Sequence, residues 1–118
     1  MARRQLGQLE AEVLAALAAA GDFVGTADLR SGLAGDPAYT TVNTILFRLH
    51  DKGLVTRKRV GRQFRYRLMV DEARLVSDRM HDHLRFASDP SSVLSRFVQD
   101  LSPEQARRLR ELLDGPEE

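Results

Sequence analysis

Cysteine is absent from the 118 residues, which excludes disulfides, thiolate metal sites and cysteine nucleophiles. No stretch reaches the roughly 18 apolar residues a membrane span needs, and the apolar segment from Val13 to Ala20 is too short to be a leader or an anchor. A cytoplasmic location is therefore the default expectation. Catalytic signatures are missing as well: there is no Gly-x-Ser-x-Gly, His-Glu-x-x-His, P-loop or dinucleotide fingerprint. Carboxylate pairs such as Glu10 and Glu12 fall on separate sides of a helix and make poor acid–base partners. A non-enzymatic chain with no cofactor is expected. The last absence is local. Between Lys52 and Val70 there is no Asp or Glu, while Lys52, Arg57, Lys58, Arg59, Arg62, Arg65 and Arg67 all fall there.

That gap breaks an otherwise balanced composition. At 13.3 kDa, with 42% hydrophobic and 30% charged residues, the chain is ordinary globular material sized for one domain, or one small domain with an appendage. The net charge of +1 conceals an asymmetry: residues 1–70 hold 11 Lys/Arg against 6 Asp/Glu, and residues 71–118 hold 7 against 11. A basic block of this density points to a polyanion partner. A solvated basic ribbon is the bland alternative, weakened because acids abound elsewhere in the chain.

The hydrophobic period predicts three helices and then a hairpin. Leu6, Leu9, Val13, Leu14 and Leu17 share one face of a helix from about Leu6 to Ala20, stopped by Gly21-Asp22. Phe23-Val24-Gly25 has room for a single bridging strand. Thr26 reads as the N-cap of a short second helix with Leu29 and Leu33 inward, broken by Gly35-Asp36-Pro37. The third helix spans about Thr40 to Lys52 and is closed by Gly53. Its buried face is Val42, Ile45, Leu46 and Leu49. The opposite face carries Thr40, Thr41, Thr44, Arg48 and Asp51, with Asn43 and Phe47 at the flank. Then the period falls to 2: Leu54–Val60 and Gln63–Leu68 flank Gly61-Arg62, a hairpin signal. Phe64, Tyr66 and Leu68 alternate with Gln63, Arg65 and Arg67, so one face should pack on the helices and the other be basic.

The remainder reads as helix throughout. Val76, Met80 and Leu84 recur within a helix over Asp71–Ala87. Asp89-Pro90 opens a second helix with the stripe Val93, Leu94, Phe97, Val98 and Leu101. Ser102-Pro103-Glu104-Gln105 is a capping box opening a third, with Ala106, Leu109, Leu112 and Leu113 inward and Gly115-Pro116 at its end. Forty-eight residues are too few to bury such stripes well alone. Pairing with a second copy is the favoured solution, and folding back onto the first domain is the alternative. The expected fold class is mainly α with a small antiparallel β-hairpin. A winged helix-turn-helix DNA-binding domain is expected over 1–70, followed by a C-terminal helical dimerisation region over 71–118. The expected dimerisation residues are Val76, Met80, Leu84, Val93, Leu94, Phe97, Val98, Leu101, Leu109, Leu112 and Leu113.

The run Ala38 to Val55 (AYTTVNTILFRLHDKGLV), followed by Gly61-Arg62-Gln63-Phe64-Arg65-Tyr66, resembles the penicillinase repressor family of BlaI/MecI type. So do Leu9-Glu10-Ala11-Glu12-Val13-Leu14 and Leu101-Ser102-Pro103-Glu104-Gln105. The resemblance implies a homodimeric winged-helix repressor sitting on palindromic operator DNA. It implies recognition-helix roles for Thr40, Thr41, Asn43, Thr44 and Arg48, and wing roles for Arg59 and Arg62. It further implies a sensor-linked protease as partner, although Arg96-Phe97 stands where protease-controlled members carry Asn-Phe. Copper sensing through a cysteine cluster, known from one branch, is excluded by the missing cysteines.

Chemistry supports the division of labour. Hydroxyls and amides on a helix can approach base edges in the major groove, where Asn43 could pair bidentately with adenine and Arg48 reach guanine or a phosphate. Hairpin cations neutralise phosphates, and Arg62 at the tip is placed for the minor groove. Phe47 either meets a sugar or thymine methyl or, as the more ordinary reading has it, folds onto Tyr39 or a neighbouring helix. Asp78, His81 and Asp82 share a helical face, but a solvated acidic face is the expectation and no metal site is assigned. The rival function is a winged-helix protein-interaction module that does not touch DNA.

Overall fold

The computed structural model describes residues 7–115. Its elements run α1 (Gln8–Ala20), β1 (Val24–Gly25), α2 (Thr26–Ser31), α3 (Tyr39–Asp51), β2 (Val55–Val60), β3 (Gln63–Leu68), α4 (Glu72–Arg85), α5 (Pro90–Gln99) and α6 (Pro103–Asp114). Leu6 and Pro116, expected at the start of the first helix and the end of the last, lie outside the described residues. The chain forms two compact units, one ending at Val76 and the other beginning at Ser77.

The first unit is built around the apolar faces expected from the helical period. Val13, Leu14 and Leu17 of α1, Leu29 of α2, and Val42, Leu46 and Leu49 of α3 are buried together with Val55 of β2 and Tyr66 of β3. Leu9, Ile45 and Leu33 pack half-buried at the margin. Removing each large side chain of this set from water stabilises the fold by about 1.5–3 kcal/mol.

Two connections fix where α3 starts and stops. Before it, Arg30 of α2 donates to the Asp36 carboxylate (3.0 Å) and to the Pro37 carbonyl, pinning the loop that leads into the helix. After it, the Gly53 N–H bonds to His50 and the Leu54 N–H to Leu49, a closure that places Gly53 at φ 77°. Leu54 consequently stays outside the strand, which begins at Val55.

The sheet is antiparallel in the order β1-β3-β2. Gly61, at φ 65°, makes the tight turn between β2 and β3. Register pairs Arg57 with Tyr66, Lys58 with Arg65 and Arg59 with Phe64. Facing pairs share a side of the sheet, so Arg57, Arg59, Phe64 and Tyr66 line the inner face, and Lys58, Arg65 and Arg67 the outer one.

In the second unit the helix starts read from sequence are all formed. Asp89 caps α5 through the Ser92 N–H. Ser102 and Gln105 exchange both bonds of a capping box at α6. Yet neither α5 nor α6 buries a single residue fully.

Candidate nucleic-acid interface

α3 begins after Ala38 with no side-chain cap and no acid in its first turn. Its free N–H groups and positive helix end therefore favour an approaching anion. Thr40, Thr41, Thr44 and Arg48 are all exposed on it. They are not equally free. The Thr44 hydroxyl donates to the Thr40 carbonyl at 2.8 Å, so its proton is used within the helix and its methyl and oxygen lone pairs remain for a ligand. Arg48 forms no ion pair among the described residues.

Asn43, at the flank of this face, is more enclosed than the threonines. It is half-buried, and its Oδ1 accepts a hydrogen bond from the Thr26 hydroxyl at 3.0 Å. Thr26 itself is not the N-cap of α2: Gly25 takes that place, and Thr26 is the first helical residue, 4% exposed, with its side chain turned toward α3. A hydroxyl that could have capped its own helix joins the two helices of the helix-turn-helix.

The wing is basic on both faces. Sequence alternation assigned the cations to one side because β3 alone was read that way, but β2 sets Arg57 and Arg59 inward. The Arg57 guanidinium lies 4.2 Å from the Phe64 ring centroid and 5.7 Å from that of Phe47, and Arg59 lies 5.7 Å from Phe64. Phe47 thus has its neighbour on the wing, and the stack Phe47–Arg57–Phe64 links α3 to the hairpin. Arg57 was among the basic residues counted in the sequence but not assigned to the site. Its odd position in β2, in step with Phe64 and Tyr66, was the available signal.

On the outer face, Lys58 and Arg67 sit over the Phe23 ring at 4.5 and 4.7 Å. At the tip, Arg59 Nε donates to the Gly61 carbonyl at 3.3 Å, while Arg62 is exposed. None of Arg57, Lys58, Arg59, Arg62, Arg65 and Arg67 forms an ion pair among the described residues. Lys52 belongs elsewhere: it pairs with Glu10 of α1 at 3.6 Å. Beneath this surface, burial pushes the Tyr66 phenol above its ordinary value, and the Arg57 guanidinium opposes part of that rise. Among the described residues the buried Tyr66 hydroxyl meets no partner at full hydrogen-bond geometry, and the Arg57 guanidinium is the group that acts on it.

In the C-terminal region Val76, Met80, Val93, Leu94, Phe97, Val98, Leu112 and Leu113 are exposed, while Leu84, Leu109 and, between α5 and α6, Leu101 are half-buried. Among the described residues no three His, Asp or Glu side chains gather closely enough for a metal ion. Asp82 pairs with Arg85 instead. No helix among them is long and apolar enough to cross a membrane.

The sequence profile of the penicillinase repressor family matches residues 6–115. The chain belongs to the penicillinase repressor family. Over 81 residues, 66% of this chain, it is 40% identical to the transcriptional regulator BlaI of Mycobacterium tuberculosis, in strains CDC 1551 and H37Rv alike. The matched stretch spans 59% of those relatives. Among solved structures, wild-type apo MarR of E. coli aligns with a TM-score of 0.52 at 17% identity, covering 91% of this chain and 74% of that one. The oxidised form of MarR aligns at 0.50 and 18%, covering 91% and 72%. At such identities the likeness concerns the fold alone, and it makes this penicillinase repressor family member a winged-helix protein.

Proposed function

We propose that this protein is a homodimeric DNA-binding transcriptional repressor that reads a palindromic operator with α3 and grips its backbone with the wing. The observation that carries the reading is the adjacency of two surfaces. Thr40, Thr41, Thr44 and Arg48 stand exposed on one helix, beside a hairpin whose six cations have no carboxylate partner among the described residues. Helix-borne hydroxyls can reach base edges, whereas unpaired Arg and Lys displace counterions from phosphates. Phosphate contacts set register and base contacts set sequence, so specificity falls to α3 and affinity to Arg57, Arg59, Arg62 and their neighbours.

The dimer is supported by the apolar side chains that α4–α6 leave in water, since exposed apolar patches mark interaction surfaces. Twofold pairing is the commonest way to cover them. Two copies would then address half-sites about one helical turn apart, or a multiple of it. A sensor-linked protease acting in this region would meet Arg96 and Phe97, both exposed on α5, with an arginine on the N-terminal side of the bond.

Selection of duplexes from a random pool, combined with native mass spectrometry of the complex, tests the whole reading. A palindromic motif bound by two chains is the expected result. A monomer that enriches no sequence overturns it and favours a protein-interaction role. Arg62→Ala should weaken all sequences alike and lower the salt slope by about one unit.

A further inference from the structure

Thr26 is, apart from Tyr66, the buried side chain with a polar atom among the described residues, and its hydroxyl donates to Asn43 Oδ1. A buried hydroxyl proton needs an acceptor. If the Asn43 amide were turned over, Thr26 would accept from Nδ2 and bury its own proton unpaired. The amide therefore has a preferred sense: Oδ1 is directed to α2, and Nδ2, with two N–H groups, makes no hydrogen bond among the described residues.

That sense changes what Asn43 can recognise. Bidentate pairing with adenine requires the amide to accept from N6 and donate to N7 together. An amide whose oxygen is tied to Thr26 presents mainly donors, and guanine offers two acceptors, N7 and O6, on its major-groove edge. We infer that Thr26 is a specificity-determining positioning residue, which holds Asn43 as a donor and so directs it to guanine in place of adenine. The inference rests on the proposed reading that α3 lies in the major groove.

The test uses the full chain and a pool of random duplexes, with wild type, T26V, T26S and N43A run side by side. Valine keeps the volume of Thr26 and removes its hydroxyl, and thermal unfolding verifies that each variant is folded. Wild type should enrich guanine at one position of each half-site. T26V should lose that discrimination by about fivefold or more, the low end of what one base contact supplies, and drift toward adenine. T26S should restore guanine, and N43A should be indifferent at the same position. Replacing that guanine by 7-deazaguanine should weaken wild type and leave T26V little changed. A folded T26V that selects the wild-type bases, or a wild type that selects adenine there, overturns the role of Thr26 while leaving the repressor reading intact. A wild type that enriches nothing removes both.

Discussion

The core side chains of the first unit turn inward, whereas in the second unit no described residue is buried. In the first unit three helices and a small sheet share one core, so Val13, Val42, Leu46 and Leu49 are all fully buried. In the second, Phe97 is 45% exposed and Leu113 77%. The helices there are no worse written: α6 has a complete capping box, which many stable helices lack. Local signals make helices, but burial needs a second surface, and three short helices do not supply enough of one for each other. Charge divides the same way, with the excess of cations in the first 70 residues and of acids in the rest. One region is complete by itself and basic on its exposed flank. The other carries the acidic excess and leaves its apolar stripes in water.

The largest effect that can break this contrast is in the core of the first unit. Leu46→Ala should cost about 2–5 kcal/mol, because it opens a cavity among side chains already packed from three helices. Urea unfolding measures it, and a cost no larger than that of Leu113→Ala would erase the distinction between the units. Next comes Phe97→Asp, a charge placed on the exposed apolar stripe of α5. Sedimentation over a wide concentration range should show the proposed dimer lost, while the thermal unfolding of the first unit stays where it was. If the dimer survives, its surface lies elsewhere than α5.

Much of this contrast was legible in the sequence, for one physical reason: periodicity reports which face of an element is apolar. Leu9, Val13, Leu14 and Leu17 identified the inner side of α1, and Asp89-Pro90 and Ser102-x-x-Gln105 marked two helix starts that the structure forms at those residues. Periodicity is silent about what meets an element from outside. Thr26 carries the chemistry of an N-cap, yet its hydroxyl turned to Asn43, a partner 17 residues away that no local pattern names. Phe47 is exposed on α3, and its neighbour Arg57 comes from the hairpin. Lys52 counted as part of the basic block until Glu10, far back in the chain, took it out. Local order came from neighbours in sequence; the fine structure of the site came from long-range pairs.

The smallest effect, and the one that separates the two units by conditions alone, is their response to pH. Tyr66 is held neutral by burial, with its pKa raised in the fold. Its contribution is full below about pH 10, where the unfolded phenol still keeps its proton, and is lost as pH rises through the folded value. Asp89 runs the other way. Its carboxylate is stabilised by hydrogen bonds from the Ser92 hydroxyl and N–H, so its pKa is lowered. The help it gives α5 is present above the ordinary carboxylate range and is lost as pH falls through the folded value. Tyr66→Phe should therefore flatten the alkaline limb of a stability–pH profile and leave the acid limb alone. Asp89→Asn should blunt the acid-induced loss of helical signal without touching the alkaline side. A Tyr66→Phe profile that falls as steeply above pH 10 as the parent's would mean that the phenol is as free to ionise in the core of the first unit as in the unfolded chain.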